Sequence, residues 1–391
     1  MSNETNKTDS ENNSNPSEVP SQDAAPDTEA SMLGVLRDKI DHIDKTIGDL
    51  ISARANCALE VAEVKSRFSG GKEVMFYRPD REAKVLRKAM GRNKGPLKDE
   101  EMARLFREIM SACLALEKPI DVAYLGPEGT FTQAAALKHF GHSAVTHSFG
   151  AIDAVFREVA SGACEYGVVP VENSTEGVVT HTLDNFIGSS GVRICGEVVL
   201  RIHQHLLVSD VTNKKSISRV YSHAQSLAQC RKWLDEHYPN VERVAVSSNS
   251  EAARLIKGEW NAAAIAGEAA ARLYGLDTFE SNIEDQPDNS TRFLIIGREE
   301  VDASGDDKTS VVASTKNEPG ALHTLLKPFG HHGVDLTRVE TRPSTSGTWN
   351  YVFFIDFIGH VDDPLISAML KEVAQQVSDL RVLGSYPIGV L

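Results

Sequence analysis

Apolar residues in the first third of this 391-residue chain recur at helical spacing. Leu36, Ile40, Ile43, Ile47 and Leu50 follow one another in steps of four and three, and the stripe continues through Ala58, Val61 and Ala62. The pattern predicts one helix over 31–68, roughly 55 Å long at ~1.5 Å per residue. That length suits a coiled-coil-like bundle better than an ordinary globular helix. Gly70 and Gly71 break it. Pro79 fits the first turn of a second helix ending near Gly91. Asp99 is placed to cap a third, which Pro119 ends. A helix twice as long as its neighbours cannot enclose a core with them alone, so a homodimer or higher homo-oligomer sharing the long helices is expected.

From residue 119 to 298 the pattern changes to short β-like runs alternating with helical ones. Strands are expected over 122–125, 167–171, 205–208, 220–222, 244–247, 262–266 and 293–296, an α/β arrangement. The charged stretch 299–308 reads as a linker. Residues 309–391 read strand, helix, strand, strand, helix, strand, over 310–314, 321–331, 334–341, 351–358, 365–378 and 381–383. Residues 1–31 carry almost no large apolar side chains and are expected to be a disordered tail. The chain thus divides into 1–31, an all-α segment 32–118, an α/β segment 119–298, the linker, and a small βαββαβ module.

A hydrophobic fraction of 41% and a charged fraction of 25% fit a soluble globular protein. No apolar run approaches ~18 residues, so no membrane partner is expected. The polar, acidic N-terminus has the form of neither a secretory signal nor a transit peptide, and a cytoplasmic location is expected. Five cysteines without paired spacing fit reduced thiols. The net charge of −14 argues against nucleic acid as a partner. It is uneven: residues 32–118 carry +4 between an acidic tail at −6 and a remainder at −12. A basic island in an acidic chain fits a dianionic ligand.

Candidate chemistry follows from spacing. Arg54 and Lys65 lie 11 residues apart, so on a helix they share one face. Arg37, 17 residues before Arg54, is out of phase, and a dimer partner is needed to present it to the same pocket. Further on, NSTRF (residues 289–293) sets the Thr291 hydroxyl beside the Arg292 cation just before an apolar run. That is a place to hold a carboxylate and donate a proton. GPEGTF (126–131), PVENSTEG (170–177) and YSHAQSLAQC (221–230) each follow a strand and enter a helix, so their polar ends are expected to face one cleft. His203 and His205 alternate on a strand, and the adjacent His331 and His332 are expected to diverge. Neither pair has a third ligand at metal spacing, so no metal is expected. No Gly-rich loop suits a nucleotide, and no cofactor is expected.

The motifs GPEGTF, PVENSTEG, YSHAQSLAQC and TRF, in that order, resemble the prephenate dehydratase family. LRDKIDHID, SARANCALEVAEVK, YRPDRE and FREIMSACLALE resemble the helical chorismate mutases. GALHTLL and ETRPS resemble the phenylalanine-contacting motifs of an ACT domain. Together they resemble the bifunctional chorismate mutase–prephenate dehydratases. The resemblance implies a two-lobed, periplasmic-binding-protein-like α/β domain between mutase helices and a ferredoxin-like ACT domain. It implies conversion of chorismate to prephenate, then decarboxylation and dehydration to phenylpyruvate, with inhibition by phenylalanine. In the mutase, Arg37 would come from a partner subunit. Arg54, Lys65 and Arg81 would bind the carboxylates and ether region, and Glu82 the ring hydroxyl. Cys113 stands where Ser is common and Glu117 where Gln is common. In the dehydratase, Thr291 with Arg292 would handle the proton, with Phe293 completing the motif. Glu172, Asn173, Ser222 and Gln229 would line the cleft, and Thr130, Ser174 and Thr175 would contact carboxylates. Gly320, Ala321, Leu322, Glu340, Thr341, Arg342 and Pro343 would bind phenylalanine. The mutase segment is expected to fold alone, and removal of 304–391 to leave catalysis intact without inhibition. The alternatives are an arogenate-preferring dehydratase and a non-catalytic sensor of aromatic amino acids.

Overall fold

The computed structural model describes residues 29–68, 76–188, 191–316, 318–343 and 351–390. The expected disorder of 1–28 and the break at Gly70-Gly71 lie outside the described residues.

Three helices come first: α1 (Glu29–Phe68), α2 (Pro79–Arg92) and α3 (Asp99–Ala115). Helix α1 begins two residues before the expected start, inside the stretch read as tail. Pro79 opens α2 in the position where its missing N–H costs nothing. Asp99 is not the cap of α3; Lys98 occupies that position, and Asp99, Glu100 and Glu101 place acids in the first turn, where the helix dipole favours them. None of the α1 residues is buried. Its N-terminal part, which ends at Ala53, forms a unit of its own. That unit exposes Leu36, Ile40, Ile43, Ile47 and Leu50, the whole predicted stripe.

The α/β segment runs β1 (Asp121–Leu125), α4 (Phe131–Phe140), β2 (Val145–Phe149), α5 (Ile152–Ser161), β3 (Tyr166–Asn173), β4 (Gly177–Val178), α6 (Thr180–Gly188) and β5 (Arg193–Arg201). It continues β6 (His205–Val208), β7 (Arg219–His223), α7 (Ala224–Gln229), α8 (Arg231–His237), β8 (Glu242–Val246), α9 (Asn249–Leu255), β9 (Ala262–Ala266), α10 (Glu268–Tyr274), β10 (Asp277–Glu280) and β11 (Ser290–Gly297). Two sheets result. One has the order β2-β1-β3-β11-β5 with β4 paired to β3; the other has the order β10-β6-β9-β7-β8. Strand β11 returns from the second sheet to lie antiparallel between β3 and β5 of the first. It begins at Ser290, so Thr291 and Arg292 are strand residues and not the approach to one.

The last elements are β12 (Asp307–Thr315), α11 (Ala321–His332), β13 (Leu336–Pro343), β14 (Tyr351–Ile358), α12 (Pro364–Gln376) and β15 (Asp379–Pro387), with sheet order β13-β14-β12-β15. Side chains alternate along these strands. Val311, Ala313, Phe353, Ile355 and Phe357 pack under α11 and α12. Val312, Val352, Phe354, Leu383 and Tyr386 instead share a core with Val169 of the first α/β sheet and with Val155, Phe156 and Phe186 of helices α5 and α6. Gly384 lies so close to β5 that an added Cβ would sit 2.1 Å from the Ile194 carbonyl oxygen. The C-terminal module is therefore part of the same packed body. Cutting off 304–391 would strip that core and is not the clean separation the sequence suggests.

The expected linker is also fixed. Val301, Ser304 and Asp307 are buried, and β12 begins inside the stretch. Helix α2 pins it: Arg87 donates to Ser304 Oγ and the Asp306 carbonyl, and Lys84 donates to the Ala303 carbonyl. Tyr77, just before α2, packs against Phe140 and Tyr166 of the α/β body, each ring centroid 5.4 Å away. Helices α2 and α3 thus rest on a core that a fragment ending at residue 118 would lack.

Candidate active sites

The C-terminal part of α1 and helices α2 and α3 enclose a cavity of about 480 Å³. Arg54, Lys65, Arg81, Glu82, Cys113 and Glu117, six of the seven residues expected there, line it. The seventh, Arg37, is exposed in the N-terminal unit. Arg78, Val85, Met110 and Phe76 line the cavity too and were not expected. Lys65 Nζ donates to the Phe76 carbonyl at 3.4 Å and sits 5.5 Å from the Phe76 ring centroid. Burial lowers the Lys65 pKa, and the Glu117 carboxylate opposes that shift. Burial likewise raises the Glu117 pKa, against the Lys65 charge. Glu82 is half-buried and accepts from Arg107 Nε at 3.1 Å. Burial raises its pKa, and Arg107 works the other way. Four cations, Arg54, Lys65, Arg78 and Arg81, beside two acids whose pKa burial raises, suit an anionic ligand.

A second cavity, about 190 Å³, lies between the two α/β sheets. Thr130 and Phe131 of the β1–α4 turn line it, with Asn173 and Thr291 from the first sheet. His223, Ser226, Gln229, Ser248, Asn249 and Gly267 contribute from strand ends of the second. The turn needs Gly129, which has φ +79° and where an added Cβ would meet Ser250 Oγ at 2.9 Å.

Asn173 organises the floor. Its Nδ2 donates to Thr291 Oγ1 at 2.8 Å and to Asn289 Oδ1 at 3.0 Å. Its Oδ1 accepts from Thr175 N, Thr175 Oγ1 and Glu176 N. The Thr291 oxygen is thus used as an acceptor, which leaves its proton for a ligand. Gln229 Oε1 accepts from Asn289 Nδ2 at 3.2 Å, tying the second sheet to the same group. Among the described residues no Lys, Arg, Asp or Glu lines this cavity. Carboxylates there would be held by amides, hydroxyls and backbone N–H groups, including those that open α4.

Several expected cleft residues lie elsewhere, and strand alternation explains the first two. Thr291 faces Asn173 across the β3–β11 ladder, and Arg292 faces Glu172. Neighbours on a strand point to opposite faces. With Thr291 and Asn173 in the cleft, Arg292 and Glu172 point to the reverse side, toward the C-terminal sheet. Arg292 Nε donates to Glu197 at 2.8 Å, Nη1 to Asp356 at 2.7 Å and Nη2 to Tyr386 Oη at 3.1 Å. Lys308 also holds Glu197, and Ser310 donates to Asp356 at 2.6 Å. Arg292 therefore cannot assist proton transfer in the cleft.

Ser222 is fully buried, donates to the Ile265 carbonyl at 2.6 Å and supports Asn249. Ser174 accepts from Ser290 N at 2.9 Å. Thr175 lines a neighbouring cavity of about 230 Å³ with Lys232 and Glu284. Phe293 is core. Asn249, Ser248 and His223 were missed; the polar run SSN directly after a strand was the available signal. Breaking the buried ion network is expected to be costly. Arg292→Met leaves Glu197 with Lys308 alone and takes the cation from Asp356, and should lower stability by roughly 3–5 kcal/mol, read by chemical denaturation.

In the C-terminal sheet, Gly320 has φ +85° ahead of α11, and Ala321 and Leu322 open that helix. Asn317 and Ser344 lie outside the described residues. On β13, Thr341 is exposed, as is Pro343, and Glu340 is half-buried. Arg342, expected at the effector, instead makes a paired contact with Asp184 of α6 at 2.9 and 2.8 Å. The neighbouring histidines also differ from expectation: His331 Nδ1 and His332 Nε2 converge on Glu372 at 3.5 and 3.0 Å. The helix ends there, so both rings fold back to α12.

Three family models match this chain: chorismate mutase type II over 36–118, prephenate dehydratase over 122–301 and the ACT domain over 309–375. The bifunctional chorismate mutase/prephenate dehydratase of Stutzerimonas stutzeri is 64% identical over 365 residues, covering 93% of this chain and 100% of the relative. That of Pseudomonas aeruginosa is 63% identical, covering 92% and 98%. A prephenate dehydratase from Arthrobacter aurescens, solved in complex with L-Phe, is 34% identical with a TM-score of 0.64, over 68% of this chain and 90% of that one. The likeness extends along nearly the whole chain, and the three matched regions hold the cationic cavity, the two-sheet cleft and the C-terminal sheet up to α12. The chain belongs to the bifunctional chorismate mutase/prephenate dehydratase family.

Proposed function

We propose that this chain rearranges chorismate to prephenate in the helical cavity and converts prephenate to phenylpyruvate in the two-sheet cleft, under inhibition by phenylalanine. The observation that carries the reading is the Asn173–Thr291 hydrogen bond, which aims a hydroxyl proton into a cleft built from neutral donors. In the first reaction no proton moves. Arg54, Arg81 and Lys65 hold the two carboxylates and the ether oxygen, and protonated Glu117 donates to that oxygen. A second copy of the chain supplies its Arg37. The exposed stripe from Leu36 to Leu50 supports such a pairing. In the second reaction Thr291 delivers a proton to the departing ring hydroxyl. The bond to the ring carboxylate breaks, its electrons enter the ring, and water and carbon dioxide leave. One proton is consumed. Among the described residues no acid lines the cleft to pair with an ammonium group, which favours prephenate over arogenate.

We read the two sheets as periplasmic-binding-protein-like lobes and the last module as ferredoxin-like, which the strand order β13-β14-β12-β15 supports. Phenylalanine binds at Gly320–Leu322 and at Glu340, Thr341 and Pro343, where β13 is an edge strand open to a second copy. Incubation with chorismate tests the whole reading. Phenylpyruvate should form and phenylalanine should suppress it. A protein that binds phenylalanine but forms neither product would be a sensor.

Glu117 gives the mutase a pH dependence. Its folded-state pKa is raised by burial, so the donor form is present below that value and lost as pH rises through it. The kcat/KM for chorismate should fall over that window. Glu117→Gln, which donates at any pH, should flatten the profile; an unchanged profile would remove Glu117 from the site.

A further inference from the structure

The reverse face of β3 and β11 carries two unlike contacts with the ACT sheet. The Arg292 network is complete: two cations, Arg292 and Lys308, balance Glu197 and Asp356, and Tyr386 and Ser310 fill the remaining positions. The second contact is incomplete. The Arg338 side chain on β13 is 8% exposed, yet its nearest approach to Glu172 is 3.5 Å from Nε. Its Nε and Nη2 are buried without a hydrogen-bond partner among the described residues. Buried donors left unmade cost free energy, and a guanidinium in this state is a contact held open.

Its position gives that contact a consequence. Glu172 is the cross-strand partner of Arg292, and the next pair in the ladder is Asn173–Thr291. The pairing slips immediately on the other side of Arg292, where Phe293 faces Pro170 and Val171 is left over. A bulge is a place where a strand end re-aims its side chains. At its other end, Arg338 sits two residues before Glu340 on β13, on the same face as Glu340 and Arg342. Arg342 is the firm tether of that strand, through Asp184. A ligand seated at Glu340–Pro343 therefore acts on the strand that carries the loose one.

We propose that Arg338 is a positioning residue for the dehydratase reaction: closing or opening its pair with Glu172 shifts the end of β3 and so the Asn173–Thr291 geometry. Effector binding on β13 reaches the cleft by this route, with the Arg292 network as the fixed side. The inference rests on the reading above that phenylalanine binds the ACT domain and inhibits the dehydratase.

The test uses the full chain, prephenate turnover against phenylalanine concentration, and calorimetric titration of phenylalanine. In Arg338→Met, phenylalanine should still bind. The concentration giving half-inhibition should rise about tenfold or more, within the usual range of allosteric coupling. Mutase turnover should match wild type, as a check on folding. Arg338→Lys, which keeps the charge but reaches less far, should be intermediate. Arg338→Glu combined with Glu172→Arg should regain sensitivity lost in either single variant. Wild-type inhibition in both Arg338→Met and Arg338→Lys would overturn the proposal. So would loss of phenylalanine binding, which would put Arg338 in the effector site. If Arg338→Met does not fold, the lysine variant and the charge exchange decide the matter alone. A wild-type enzyme insensitive to phenylalanine would instead refute the underlying reading.

Discussion

Thr291→Ala should abolish phenylpyruvate formation and leave the mutase untouched, so that prephenate accumulates from chorismate. The β3–β11 ladder places this hydroxyl in the cleft, and Asn173 holds its oxygen at 2.8 Å. General acids contribute about 10²–10⁴-fold in rate, and a loss of that order is expected in kcat on added prephenate. KM should move much less, because the carboxylates rest on other donors. Thr291→Ser keeps the hydroxyl and should retain most activity. Stability should change little, since the side chain lies at the cleft surface and not in the core. Turnover of prephenate within threefold of wild type by Thr291→Ala would assign the proton to another group, with His223 the next candidate on the cleft wall.

Local periodicity made most of the fold readable. The strands over 205–208, 262–266 and 351–358 fall where the apolar runs placed them, because each is defined by its own side chains. Strand β5 was not anticipated. Gly196 and Glu197 interrupt its apolar run, and Glu197 belongs inside only because Arg292 and Lys308 neutralise it. Those partners are 95 and 111 residues away, beyond any window of local pattern. In the edge strand β2 the polar run Thr146, His147 and Ser148 separates Val145 from Phe149, which leaves too short an apolar pattern to read.

The sites divide in the same way. Six side chains expected in one pocket do line one cavity: helical phase pairs Arg54 with Lys65, and motif order brings in Arg81, Glu82, Cys113 and Glu117. In the dehydratase the motif order led to the right segments but not to the right faces. Adjacent residues Thr291 and Arg292, like Glu172 and Asn173, cannot both enter one cleft from a strand. Placing the strand start at Phe293 concealed that constraint. The interlock of the ACT sheet with the first α/β sheet was beyond reach, since Val312, Phe354 and Tyr386 look like the core of a free-standing module until their neighbours are known.

Lys65→Met should cost the mutase about 10²–10³-fold in kcat/KM, the loss typical of removing one preorganised charge from a developing anion. The argument starts from burial. Lys65 sits in the wall of the helical cavity, where desolvation lowers its pKa and Glu117 counters that effect. A partly desolvated ammonium interacts with the ether oxygen more strongly than one in water, and methionine fills similar volume without charge. The dehydratase supplies an internal control. Among the described residues its cleft shares none of the cavity's lining, so turnover of added prephenate should be unchanged and unfolding is thereby excluded. A second readout follows from the pair. The Lys65 charge lowers the Glu117 pKa, so its removal should let Glu117 stay protonated to higher pH. The residual activity of Lys65→Met should therefore decline at a higher pH than wild type. Full activity in this variant would show that the cavity binds its dianion through its arginines without Lys65. A pH profile that did not move would mean that Lys65 and Glu117 act independently.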